Sequence, residues 1–151
     1  MPRTRPTVLH VEDDPNDQLF VERAFKQSGV PVDVRTVASG EDAVSYLSAA
    51  GPFSDRGRYP QPSFLLLDLK LTGMSGFDIL EWARKHADSR LLPIAILTSS
   101  RESKDVERAY KSGATSYFVK PSDPEDLHTL VQTLAKYWFV HAKLPPPLEA
   151  C

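Results

Sequence analysis

The chain contains one cysteine in 151 residues, and that cysteine, Cys151, is the last of them. This excludes an internal disulfide framework and any cysteine zinc cluster, fits a reducing compartment, and leaves Cys151 able to bridge only between chains. Long apolar runs are also missing. No stretch approaches the roughly 20 residues of a membrane span, and Met1-Pro-Arg-Thr-Arg-Pro6 is not followed by the apolar core of a signal peptide. Neither sign of charge dominates, with 18 Lys and Arg against 20 Asp and Glu and a formal net charge of -2. Such a balance supplies no general basic field for nucleic acid or anionic lipid. The expectation is a single cytoplasmic domain with a core of its own.

What the chain does have is a set of apolar runs that each end in a polar residue. Thr7-Val-Leu-His-Val11 is followed by Glu12-Asp13, Ser63-Phe-Leu-Leu-Leu67 by Asp68, Ile94-Ala-Ile-Leu97 by Thr98, and Tyr117-Phe-Val119 by Lys120. Continuous apolar runs of this length read as buried parallel strands, and open α/β sheets build their sites at the carboxyl ends of such strands. Strands are expected at about 7–12, 32–37, 63–68, 93–98 and 116–119, alternating with five helical patterns.

The helix signals are local. Asp14-Pro15 and Asp123-Pro124 each pair an N-cap with proline at the first helical position, and Gly113 is placed to close a helix over about 102–112. The predicted inward faces are Phe20, Val21, Ala24 and Phe25; Ala43, Val44 and Leu47; Ile79, Leu80 and Ala83 after Gly76; Val106, Ala109 and Tyr110; and Leu127, Leu130, Val131, Leu134 and Trp138. Pro52 to Pro62, with three prolines, a glycine and no period, reads as an exposed, disordered insertion. Tyr137, Phe139 and Val140 add more apolar surface than one helix face needs, and Leu144-Pro-Pro-Pro-Leu148 reads as an extended tail.

The strand ends would gather Glu12, Asp13 and Asp68. Two like charges near 5 Å repel by roughly 3 kcal/mol at an effective dielectric of about 20, so a counter-ion is required. Hard oxygen ligands favour Mg²⁺, which leaves positions free for phosphate oxygens. Lys120 can pair with Asp68 and then with a phosphoryl oxygen, while the Thr98 hydroxyl donates to another. Asp68, alone at the end of a long buried run, is the best nucleophile for an aspartyl phosphate. Asp14 is explained as a cap rather than a ligand, and His10, mid-strand, as a packed and hydrogen-bonded core residue with no role.

With these residues placed, the chain resembles the receiver domain of two-component response regulators, the CheY-like family, over about residues 6–141. The resemblance rests on Val11-Glu-Asp-Asp-Pro15, Leu65-Leu-Leu-Asp-Leu69 with Gly76-Phe-Asp78, Leu97-Thr-Ser99 and Tyr117-Phe-Val-Lys-Pro121. It implies an α/β fold, a doubly wound five-stranded parallel sheet of order 2-1-3-4-5 flanked by five helices. It implies that Asp68 is the phosphoacceptor and Asp13 a direct Mg²⁺ ligand, with Glu12 acting through water and the Lys70 main-chain carbonyl as the third protein oxygen. Thr98 and Tyr117 take the places of the switch hydroxyl and aromatic, and Lys120-Pro121 that of a lysine followed by a cis peptide bond. Residues 1–5 would be an extension and 142–151 a proline-rich tail.

A finer similarity, through the proline-bearing loop before the third strand, Thr98-Ser-Ser100 and Lys136-Tyr-Trp-Phe-Val-His-Ala-Lys-Leu-Pro145, is to the single-domain regulators paired with phytochrome histidine kinases. That resemblance implies a phytochrome-type kinase as donor and a homodimer in which Tyr137, Trp138, Phe139 and Leu144 meet a second protomer. With no output domain after residue 151, output would pass through protein contact, dimerisation or phosphoryl relay. Lys70 and Thr72 depart from the asparagine and proline common in relatives, and the Lys70 ammonium, beside the route of water to an acyl phosphate, is expected to change its lifetime.

Three other functions fit the residues less well. Asp68-Leu-Lys-Leu-Thr72 is similar to the DxDxT signature of haloacid-dehalogenase-type phosphohydrolases, but Lys70 replaces the aspartate that acts as general acid. A flavin carrier would need phosphate-cradling amides where Glu12-Asp-Asp14 would repel phosphate. An interaction module of receiver fold, independent of phosphorylation, would have no need of the intact acids, Thr98 and Lys120.

Overall fold

The computed structural model describes residues 5–145; residues 1–4 and 146–151, and with them Cys151 and most of the proline tail, lie outside it. Five strands alternate with five helices: β1 Thr7–Val11, α1 Pro15–Gln27, β2 Asp33–Val37, α2 Gly40–Leu47, β3 Phe64–Leu67, α3 Gly76–Lys85, β4 Ile94–Thr98, α4 Ser103–Lys111, β5 Ser116–Val119 and α5 Pro124–Lys136. All strand pairs are parallel and the sheet order is β2-β1-β3-β4-β5, as expected.

Alternation along the central strands feeds two cores. Leu9, Val11, Leu65, Leu67, Ile94 and Ile96 face α2, α3 and α4 through Ala43, Leu47, Ile79, Leu80, Ala83 and Ala109. Val8, Phe64, Leu66, Ala95 and Leu97 face α1 and α5 through Val21, Ala24, Phe25, Leu127, Val131 and Leu134. Coverage on both faces is what makes these strands apolar throughout. β5 differs from its expected burial: as an edge strand it is only half-buried along its length.

The helix starts follow their caps. Asp14 accepts from the amides of Asn16 and Asp17, Ser39 from Asp42, and Asp123 from Glu125. At α3, Ser75 and Asp78 form a reciprocal capping box. Two predicted core residues face outward. Phe20 stands about a quarter-turn off the Val21, Ala24, Phe25 stripe and is 43% exposed; Tyr110 is 49% exposed because α4 lies toward the sheet edge and buries only Ala109. Val44 and Val106 are half-buried, whereas Tyr46, absent from the predicted face, is fully buried.

The largest departure is the segment 52–62, which is ordered. After a 3₁₀ turn at Gly51–Phe53, Phe53 and Tyr59 pack on Tyr46 with ring centroids 5.2 and 6.0 Å away, and the Tyr46 hydroxyl donates to the Pro60 carbonyl at 2.9 Å. The Arg56 guanidinium reaches back to the carbonyls of Tyr46 and Leu47, both at 2.9 Å, and of Tyr59 at 3.2 Å. Arg56 thus completes the carboxyl end of α2, where the amides of Ser48, Ala50 and Ala49 already serve the carbonyls of Val44, Ser45 and Tyr46, a role that composition could not reveal.

Beyond α5 the chain widens into a π-helical turn, Tyr137–His141. This turn lays Trp138 and Phe139 against Phe64, with centroids 5.4 and 6.0 Å away, and leaves Tyr137 and Val140 more than half exposed. Part of the apolar surplus is therefore spent within the same protomer. Leu144 is half-buried.

Candidate metal and phosphoryl site

The parallel register sets the ends of β1, β3, β4 and β5 side by side, so the polar residue after each apolar run arrives at one rim. Glu12 and Asp68 are nearly buried there, Asp13 is half-buried, and Thr98 is fully covered. Carboxylate oxygens of Glu12, Asp13 and Asp68 lie within 4.8 Å of one another. Three converging hard oxygens of this spacing fit a small divalent cation, and the Lys70 carbonyl follows Asp68 by two residues. The Lys70 amide donates to Asp68 Oδ1 at 3.2 Å while its side chain stands exposed at the mouth of the site.

Lys120 closes the rim from β5. Its ammonium donates to Glu12 Oε1 at 2.5 Å, Asp17 Oδ2 at 2.9 Å and Asp68 Oδ2 at 3.1 Å. Burial would lower its pKa, but hydrogen bonds from Glu12 and Asp17 and the charge of Asp68 outweigh that and push it up, so the ammonium stays charged. Burial pushes Glu12 the other way from its partner's pull, up to about 7, against hydrogen bonding and charge from Lys120. One cation facing three carboxylates explains both: the ammonium persists, and the most deeply buried acid is the one that resists ionisation.

Several supports were not legible as such. Thr72 Oγ1 donates to Asp13 Oδ2 at 3.2 Å, and Gln18 Nε2 to the Glu12 carbonyl at 2.5 Å, tying α1 to the rim. Asp17 was visible only as an acid near the amino end of a helix. Its signal was periodicity: it precedes Val21 by four residues and Ala24 by seven, on the stripe that faces the sheet. On the β4 side, Tyr117 Oη donates to the Ser100 carbonyl at 3.0 Å, and Ser100 Oγ to Asp105 Oδ2 at 2.6 Å.

Two expectations are corrected. No described peptide bond is cis, so Lys120–Pro121 is trans, the isomer ordinarily favoured even before proline. His10 is buried as expected, but its Nδ1 has no hydrogen-bond partner among the described residues. Desolvation, then the nearby Lys120 charge, lower its pKa to about 3 and keep the ring neutral.

The response regulator receiver domain family matches residues 8–132, from the second residue of β1 to most of α5. The chain belongs to this family. Among curated relatives, the probable methanogenesis regulatory protein FilR2 of Methanothrix harundinacea is 30% identical over 140 residues, covering 93% of this chain and 88% of its own. The phosphorylated cyanobacterial phytochrome response regulator RcpA superposes with a TM-score of 0.89 at 26% identity, over 95% of this chain and all of that one. The Mn²⁺-bound form of response regulator Rcp1 gives 0.86 at 27% identity, over 93% and 99%. This receiver therefore has whole-chain counterparts among single-domain response regulators, including phytochrome response regulators, and the divalent metal its acids suit has a counterpart in the Mn²⁺ form of Rcp1. No described helix is long and apolar enough to cross a membrane.

Proposed function

We propose that this receiver is a stand-alone cytoplasmic switch that takes a phosphoryl group from a histidine kinase onto Asp68. The observation that carries the reading is the Lys120 ammonium, 3.1 Å from Asp68 Oδ2, at the rim where Glu12, Asp13 and Thr98 also end. Asp68 attacks the phosphorus of the kinase's phosphohistidine. The new oxygen–phosphorus bond forms as the nitrogen–phosphorus bond breaks, its electron pair returning to the imidazole. Lys120 exchanges Asp68 for a phosphoryl oxygen, and Thr98 donates to another. Asp13 directly, Glu12 through water, and Asp68 with the Lys70 carbonyl would hold Mg²⁺, which when bound neutralises phosphoryl oxygen charge.

Recruiting Thr98 opens space into which Tyr117 turns, shifting a pre-existing equilibrium across α4, β5 and α5. The phytochrome type of kinase is favoured by the likeness to RcpA along nearly the whole chain. For kinase docking, the groove of about 430 Å³ between α1 and α5, lined by Phe20, Arg23, Pro124 and His128, is the surface proposed. Tyr137, with Trp138, Phe139 and the Leu144 arm around it, is the surface proposed for a homodimer; Tyr137 is 56% exposed.

The test is Mg²⁺-dependent labelling by acetyl phosphate, read as a shifted band in phosphate-affinity electrophoresis of wild type and Asp68→Ala. A shift that needs Mg²⁺ and vanishes in the variant is expected. A wild type that takes no phosphoryl group from acetyl phosphate or from a histidine kinase would instead establish an interaction module.

A further inference from the structure

Asp17 does something at this site beyond what a first-turn acid does for a helix. It stands outside the three carboxylates that suit a cation, yet it is 2.9 Å from the Lys120 ammonium. An ammonium has three N–H donors, and here they go to Glu12, Asp17 and Asp68. Two of these acceptors have another commitment, because Glu12 and Asp68 belong to the cation cluster and Asp68 takes up the phosphoryl group. Asp17 has none.

It is also held in place. The Asp14 cap and Pro15 fix the first turn of α1, Gln18 bonds the Glu12 carbonyl, and Val21 and Ala24 on the same stripe are buried against the sheet. Its side chain is 29% exposed, against 15% for that of Lys120, so the pair is largely shielded from water. We infer that Asp17 is a positioning residue for phosphoryl transfer: it is the acceptor that keeps the Lys120 ammonium at the site while Asp68 gives up its bond. As the Asp68 oxygen–phosphorus bond forms and the donor's bond breaks, the carboxylate charge that attracted Lys120 becomes part of an acyl phosphate. Without Asp17, the ammonium would then keep Glu12 alone, a single point about which its flexible stem could swing. Tethered by Asp17, it turns the released N–H onto the phosphoryl oxygen.

The inference rests on the phosphoacceptor reading of Asp68, and the experiment separates the two. Initial rates of phosphorylation by acetyl phosphate are measured for wild type, Asp17→Asn, Lys120→Met and the double variant, at saturating Mg²⁺ and with the folded fraction of each checked by circular dichroism. Asp17→Asn is expected to slow the reaction about tenfold when Lys120 is present, and less than twofold when it is replaced by methionine. An unchanged rate, or the same loss in both backgrounds, overturns the inference, because an acid that merely steadies α1 acts whether or not the lysine is there. The second readout needs no chemistry: the ¹⁵N signal of the Lys120 ammonium, protected from exchange by its carboxylates, is expected to broaden beyond detection in Asp17→Asn. If wild type takes no label from acetyl phosphate or from a histidine kinase, the Asp68 reading falls and this signal alone decides the role of Asp17; its persistence in the variant overturns it.

Discussion

The Tyr117 hydroxyl donates to the main-chain carbonyl of Ser100 at 3.0 Å, two residues past Thr98. The bond fastens the β4–α4 loop to β5, and Ser100 fastens it again through Asp105. Tyr117→Phe removes one neutral hydrogen bond and is expected to lower the stability of the unphosphorylated protein by about 1 kcal/mol. The check is urea unfolding with and without a beryllofluoride mimic on Asp68. The difference should shrink with the mimic, because the proposed switch turns the aromatic ring away from Ser100.

His10 makes stability depend on acid. Its folded pKa is lowered from 6.5 to about 3 by burial and by Lys120, so below about pH 6.5 the unfolded chain takes a proton that the folded one refuses. Stability from this residue is therefore complete above that pH and is lost, at roughly 1.4 kcal/mol per unit, as pH falls toward 3. His10→Leu should flatten the stability profile between pH 6 and 4 relative to wild type, as measured by chemical denaturation at each pH.

Gly76 begins α3 against the end of β3. A Cβ there would run into the Asp68 carbonyl oxygen and come within 2.7 Å of Leu69 Cα, both backbone that cannot swing aside. Gly76→Ala is expected to cost about 1–3 kcal/mol, the range for overpacking. It should also slow Asp68 phosphorylation, since relief of the contact moves the acceptor. Wild-type values in both urea unfolding and labelling would refute the expectation.

Most of the fold was legible because each local signal agreed with the global pattern: Asp14-Pro15 and Asp123-Pro124 start helices where the strand ends require them, and apolar runs fall where both sheet faces are covered. The rim was legible for the same reason, since one polar residue after each run can lie in only one place. Phe20 and Tyr110 misled because apolar identity does not say which side of a narrow stripe is covered. Arg56 and Asp17 were missed because their partners, backbone carbonyls and a lysine 103 positions away, are set by tertiary approach rather than spacing.

The exposed Phe20 lines the groove proposed for kinase docking. Phe20→Ala is expected to reduce phosphoryl transfer from a cognate kinase tenfold or more, on the scale of a docking aromatic. Labelling by acetyl phosphate, which needs no docking, should proceed as in wild type. Equal losses with both donors would place Phe20 in the fold instead.

The surface proposed for a homodimer lies beyond α5. Tyr137 and Val140 are 56% and 60% exposed beyond the last turn of α5. Replacing both with aspartate is expected to convert a dimer in sedimentation velocity into a monomer while leaving thermal stability within a few degrees. A wild type that sediments as a monomer in both the free and the beryllofluoride-bound state would remove the homodimer from the proposal.

Arg56 has a consequence for how the molecule breathes. α2 has 8 residues, fewer than an isolated helix needs to persist in water, and its last two carbonyls accept from a side chain of the loop that follows it. Neither piece keeps its shape without the other: the loop loses its anchor when the helix frays, and the helix loses its terminus when the loop lifts. They form one cooperative opening unit on the α2 side of the sheet, whose amides should exchange with solvent together and at one free energy, separately from the strands beneath.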